Sequence, residues 1–213
     1  MLSKIDELTR PDHFYLDESD DCYFVREYTA HRPVQFSETN QLILNLKKPM
    51  DRRGRPEWAY KERAIRQVAR EFEGSLNPEW LRAAVLVPVP PSKARGDPLF
   101  DDRLMRVLNS IDGADARELV IQAVSTTPDH GAAARRTPTE IASLYQLDER
   151  FAQTVSRAVG IFDDVLTTGA HFKAMKAVLS ARFRGVPIVG LFVARRVFAN
   201  PFDDSAPESP PTA

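Results

Sequence analysis

Residues Val159–His171 read VGIFDDVLTTGAH: an apolar run, two adjacent carboxylates, a Thr-Thr-Gly turn, and the opening of a segment with helical character. Ala158–Phe162 predicts a buried strand and Gly169–Arg182 a helix. Ligands of open parallel sheets bind beyond the carboxyl ends of the strands, where Asp163 and Asp164 are expected. Neighbouring carboxylates accept hydrogen bonds from a vicinal diol such as that of ribose, and they can favour a nearby Mg2+. The turn Val165-Leu166-Thr167-Thr168-Gly169-Ala170-His171 leads into a helix N-terminus, where free N–H groups and the positive dipole end attract phosphate. Glycine lets the backbone approach the anion, and the threonines add hydroxyl donors. Any one of these features is common; their order within one short stretch points to a sugar-phosphate site.

Around this stretch, strands and helices alternate. Ala83–Pro88 (AAVLVP) is a near-continuous apolar run, as a strand buried on both faces requires. Asp102–Ile111 carries Leu104, Val107, Leu108 and Ile111 on one helical face, and Leu119–Val124 reads as the next strand. Thr137-Pro138-Thr139-Glu140 has the spacing of a capping box with a first-turn proline, and Pro187–Ala194 (PIVGLFVA) is a further strand. This alternation predicts an α/β fold, a three-layer, mostly parallel sheet.

The first part of the chain is less regular. Cys22–Tyr28 and Leu42–Leu46 are strand candidates, the second from its alternating leucines. Lys47–Pro56 (KKPMDRRGRP) is basic and turn-rich. Trp58, Ile65, Val68, Ala69 and Phe72 recur at helical spacing, so Glu57–Glu73 is expected to be an amphipathic helix ending near Gly74. Asn77-Pro78-Glu79 has the chemistry of a helix start. The division expected is an N-terminal α+β extension over 1–82, contributing to a hood, a core over 83–200, and an acidic, proline-rich tail over 201–213 too polar to order itself.

The chain has 213 residues, 43% hydrophobic and 28% charged, with a formal net charge of -1. That balance fits a globular protein and provides no whole-molecule field for nucleic acid or membrane surfaces. One cysteine, Cys22, excludes an intrachain disulfide and a Cys-rich zinc site. The opening MLSKIDELTRPDHF is charged throughout, and no apolar run approaches the ~20 residues that span a bilayer. A cytoplasmic protein with no membrane partner is expected.

Val159–His171 resembles the PRPP-binding motif of type I phosphoribosyltransferases, with His171 where threonine or serine is typical. The wider arrangement resembles the competence-associated ComF-type branch. Val87–Arg95 (VPVPPSKAR) is similar to its Pro-Val-Pro strand end and basic loop, Thr127–Arg136 (TPDHGAAARR) to its Arg-rich loop, and Ala194-Arg195 to the end of its final strand. The N-terminal zinc-binding cysteine cluster common in that branch is missing. The resemblance covers about Ala83–Arg196 and implies a phosphoribosyltransferase: a small ribose-phosphate substrate, Mg2+ carried mainly by PRPP, and pyrophosphate as leaving group. It implies Asp163, Asp164, Lys93 and Arg95 as catalytic residues and Ser92, Lys93, Ala94 and Arg95 as the pyrophosphate loop. Arg135 and Arg136 would lie on a loop closing over the site. A homodimer is expected from related proteins.

Two other readings remain open at this level. A non-catalytic sensor would keep the sugar-phosphate pocket and signal to a partner. A nucleic-acid binder, prompted by that ComF-type resemblance, would use Lys47, Lys48, Arg52, Arg53 and Arg55 against phosphates, with Trp58 and Tyr60 for stacking; a solvated basic loop is the commoner explanation of that stretch. Cys22 has no identifiable activating partner, and His13, His31 and His130 show no metal-ligand spacing, so all four read as structural or surface residues.

Overall fold

A computed structural model describes residues 1–126, 136–152 and 157–198. Its centre is a six-stranded sheet of β1 (Ser3–Lys4), β2 (Asp21–Thr29), β3 (Ala84–Pro88), β4 (Asp115–Ala116), β7 (Ala158–Leu166) and β8 (Ile188–Val197), in the order β1-β2-β8-β7-β3-β4. Every neighbouring pair is parallel except the short edge pair β1–β2. A separate antiparallel pair joins β5 (Val120–Gln122) to β6 (Tyr145–Leu147). The helices are α1 (Glu38–Leu46), α2 (Trp58–Glu73), α3 (Pro78–Ala83), α4 (Arg103–Leu108), α5 (Pro138–Ala142) and α6 (Ala170–Arg182).

Helices cover both faces of the sheet, and side-chain alternation along the central strands shows how. Phe162 of β7 meets Phe72 of α2 edge-on, with ring centroids 5.0 Å apart. Two residues further along, Asp164 therefore points to the same face, that of α2 and α4. Phe192 of β8 meets Phe172 of α6 on the other face at 6.2 Å. Asp163 is the register partner of Phe192 and points with it toward α6. The paired carboxylates thus belong to opposite faces of one strand.

Caps and periodicity account for most boundaries. Asn77 Oδ1 accepts the Glu79 and Trp80 amides ahead of α3, and Thr137 and Glu140 form the expected capping box of α5. The amphipathic helix and the strands around residues 22–28, 84–88 and 188–194 lie where sequence pattern puts them.

Three expectations change. Leu42–Leu46 is not a strand but the end of α1: Ser37 Oγ accepts the Asn40 amide as N-cap, Leu42, Ile43 and Leu46 are buried, and Leu44 is half-exposed. The stretch beginning at Leu119 is strand only over Val120–Gln122 and pairs with β6 outside the main sheet, whose edge is β4 instead. Finally, β7 continues through the two aspartates to Leu166, paired to β8 as far as Arg195. The N-terminal region supplies β1 and β2, and β2 runs parallel to β8 along most of its length. No helix among the described residues is long and apolar enough to cross a membrane. The tail over 201–213, Arg135 and His130 lie outside the described residues.

Candidate sugar-phosphate site

At the carboxyl ends of β3 and β7 opens a cleft of about 860 Å³. Of the residues singled out from sequence, Asp163, Asp164, Val165, Thr167, Thr168, Ala170 and His171 line it from the β7–α6 side. Ser92, Lys93 and Arg95 line it from the loop after β3, and Arg136 lines it beside α5. Leu166, Gly169 and Ala94 do not line it. Leu166 is buried in β7, and Ala94 donates its amide to Ser125 Oγ at 3.0 Å.

The two aspartates have different environments. Asp164 is 3% exposed, and both its oxygens are engaged. Lys47 Nζ is 2.8 Å from Oδ1, while Arg103 approaches Oδ2 with Nε at 3.1 Å and Nη2 at 2.5 Å. Burial opposes its charge, but these two cations outweigh it and hold the carboxyl well below the usual carboxylate range. Asp163 is only partly buried and accepts the Asp164 amide at 2.8 Å. Burial, and then the charge of Asp164, push its carboxyl upward toward the neutral form. Asp163 is thus the carboxyl presented to the cleft, and Asp164 anchors the floor beneath it.

The anchor extends further. Arg103 Nη1 also reaches Asp101 Oδ2 at 3.1 Å, and Lys61 Nζ donates to that same oxygen at 2.7 Å and to the Lys48 carbonyl at 2.8 Å. Lys61 is fully buried, 5.3 Å from the Trp58 ring, and its burial lowers its pKa despite Asp101. Lys61 therefore ties the Lys47–Met50 turn to the loop before α4, two segments that wall the same end of the cleft. Trp58 belongs to this packing, whereas Tyr60 is half-exposed with Lys48 and Arg63 over its ring at 5.8 and 5.4 Å.

The Thr-Thr-Gly turn is tightly built. Gly169 caps α6 at φ 85°, the left-handed region that side chains disfavour. A Cβ there would also lie 2.8 Å from Leu16 Cδ2. His171 lines the cleft and bonds through Nδ1 to the hydroxyl of buried Tyr145 at 2.8 Å. Behind the turn, His13 Nδ1 donates to the Thr167 carbonyl at 2.5 Å and the Tyr15 amide to the Thr168 carbonyl at 2.8 Å.

The loop after β3 is partly committed. Arg95 is ion-paired to Glu118, and the Ser92 carbonyl accepts the Thr126 amide at 2.7 Å and Gln122 Nε2 at 2.8 Å. Lys93 makes no hydrogen bond or ion pair among the described residues. Gly96 follows at φ 92° and turns the chain.

Sequence reasoning missed Lys47 and Arg103 as partners of Asp164, and His13 and Leu16 as supports of the turn. His31 lines the cleft, and Cys22 is buried with its thiol pushed up by burial. No group of three or more His, Cys, Asp or Glu residues among those described could hold a metal ion. No protein-family model matches the chain, and no curated protein matches its sequence.

Proposed function

We propose that the chain binds PRPP, or a related ribose 5-phosphate compound, and transfers its phosphoribosyl group to an acceptor with release of pyrophosphate on a type I phosphoribosyltransferase-like fold. The observation that carries this reading is the convergence, in one cleft at the carboxyl ends of parallel strands, of Asp163, the Thr167–Gly169 turn at the head of α6, and Lys93. The turn and helix N-terminus would take the 5-phosphate, and Asp163 would accept from the ribose hydroxyls. Lys93 and the loop after β3 would face the pyrophosphate.

Mg2+ fits as a substrate-borne ion. Mg2+ binds through one or two carboxylates plus phosphates and keeps several waters. Asp163 lines the cleft and, unlike Asp164, is bonded by neither Lys47 nor Arg103, which suits that mode better than a protein-built cage. When bound with PRPP, Mg2+ would neutralise charge on the departing pyrophosphate. The chain's own part is to fix the ribose and phosphate and to place positive charge near the leaving group, since displacement at the anomeric carbon needs little protein acid–base chemistry.

A second reading is favoured by the ties within the loop after β3. With Arg95 held by Glu118 and the Ala94 amide held by Ser125, that loop offers pyrophosphate less than its sequence suggests. That favours a non-catalytic binder of the same ligand. Calorimetry with PRPP and Mg2+ on wild type and Asp163→Asn tests the shared part: tight binding to wild type that is weakened in the variant is expected, and equal binding to both would remove the basis of the site. Pyrophosphate release with candidate nitrogen bases separates enzyme from sensor.

A further inference from the structure

The segment Asp12–Asp20 has no place in the sugar-phosphate motif, yet it lies along the back of it. Lys173 Nζ of α6 binds Asp17 and Asp20 at 2.6 and 2.8 Å, and Lys176 Nζ binds Asp20 at 2.6 Å. Arg195 of β8 binds Asp12 at 2.9 Å. Clamped in this way, the segment places buried Leu16 under Gly169 and points two donors at the turn: the His13 ring and the Tyr15 amide.

The acceptors of these donors matter. A trans peptide puts its carbonyl and its N–H on opposite sides. With the Thr167 carbonyl drawn back to His13, the N–H of Thr168 is directed the other way. With the Thr168 carbonyl drawn back to Tyr15, the same holds for the N–H of Gly169. Thr167, Thr168 and Ala170 line the cleft on that opposite side, and neither amide finds an acceptor among the described residues. Two adjacent N–H groups held outward ahead of a helix N-terminus make an anion-binding concavity.

His13 carries a further mark. It is wholly buried, and its Nε2 is left without a hydrogen-bond partner. Such an orphan costs stability, because a buried polar atom gives up water without gaining a partner. Packing alone would be better served by an apolar side chain. The one polar contact the ring makes is with the Thr167 carbonyl, and since a carbonyl can only accept, Nδ1 carries the proton.

We infer that His13 is a positioning residue for the phosphate turn: its Nδ1–H holds the Thr167 carbonyl back so that the Thr168 and Gly169 amides face the cleft and receive the 5-phosphate of the ligand. This rests on the ribose 5-phosphate reading of the site. The role comes from a residue more than a hundred and fifty positions away in sequence, in the segment that precedes β2.

The test uses the full chain as wild type, His13→Leu and His13→Asn, with ribose 5-phosphate and inorganic pyrophosphate as probes in calorimetry. Leucine fills space without a donor, whereas the asparagine Nδ2 sits near the place of Nδ1. His13→Leu is expected to weaken ribose 5-phosphate about tenfold, the scale of one lost hydrogen bond at an ionic site, and to leave pyrophosphate binding within about twofold. His13→Asn should recover most of the loss. In the unliganded protein, the Thr168 and Gly169 amide resonances should move in His13→Leu and return in His13→Asn.

Unchanged ribose 5-phosphate affinity in His13→Leu, with wild type binding normally, would overturn the inference alone. Equal weakening of both probes would overturn it too, by showing general loosening of the fold. A wild type that binds no ribose 5-phosphate would overturn the functional reading, and this inference with it.

Discussion

Replacing Arg103 by methionine removes the main partner of a carboxylate that has nowhere else to go. The Asp164 side chain is 5% exposed and that of Arg103 18%, and two of the bonds to Asp164 come from the guanidinium, at 3.1 and 2.5 Å. Lys47 remains at 2.8 Å, but its side chain is 38% exposed and cannot compensate a buried charge alone. Breaking such a pair by removing one member costs about 3–5 kcal/mol, roughly a fifth or more of the stability of an ordinary domain. In urea that is a midpoint shift of about 1–2 M at the denaturant sensitivity of a chain this long. Asp101 is not orphaned by the change, because Lys61 still holds it at 2.7 Å, so the loss reports on Asp164. The sign with pH follows from the depressed Asp164 carboxyl. Its pairing stabilises the fold above the ordinary carboxylate pKa and is lost as pH falls through the folded value, so the gap between wild type and Arg103→Met should be widest near pH ~7 and shrink below pH ~4. Adding Asp164→Leu should restore most of the stability, since the uncompensated charge is then gone. A gap that stays constant with pH, or a double variant whose loss is the sum of the two single losses, would refute the reasoning.

Other perturbations separate binding from folding. Gly169→Ala forces a side chain into φ 85° and against Leu16, so it should cost at least about 1–2 kcal/mol in thermal unfolding and abolish ribose 5-phosphate binding. Asp163→Asn acts in the opposite direction on stability. Its carboxyl is raised by burial and by Asp164, so its ionisation is resisted in the fold, and stability is lost as pH rises from the ordinary carboxylate value through the folded one. The variant should therefore be more stable than wild type above pH ~5 in urea titrations, while binding PRPP less well. His13, depressed by burial, binds its proton more readily in the unfolded chain, so wild type should lose stability as pH falls below ~6.5. His13→Asn, with nothing to titrate there, should flatten that limb of the pH profile.

Sequence showed the parallel core because its strands are apolar on both faces, and the caps of α3 and α5 because Asn77 and Thr137 announce them. It misread α1 because Leu42, Leu44 and Leu46 fit a two-residue period as well as Leu42, Ile43 and Leu46 fit a helical one. The deciding residue was Ser37, whose hydroxyl caps the helix five positions before the first leucine. It ended β7 early because two aspartates look like the exit from a buried strand. They remain in the strand because its two faces meet different surroundings: cations for Asp164, the open cleft for Asp163.

The same distinction explains what could be known of the site. Apart from Lys93, the groups proposed to meet the ligand are contiguous in sequence, since one strand, one turn and one helix start deliver them, and so the motif is legible. The groups that hold them in place are not contiguous. Lys47 and Lys61 come from the turn and helix after α1, Arg103 from α4, and His13, Tyr15 and Leu16 from the segment before β2. Nothing in MLSKIDELTRPDHFYL marks His13 as different from any other charged or polar residue; its role exists only once β2 lies alongside β8 and carries the preceding segment against α6. The N-terminal region is therefore part of the sheet and of the site's foundation, so altering it should change affinity for the sugar phosphate even though Asp163, Thr168 and Lys93 are left untouched.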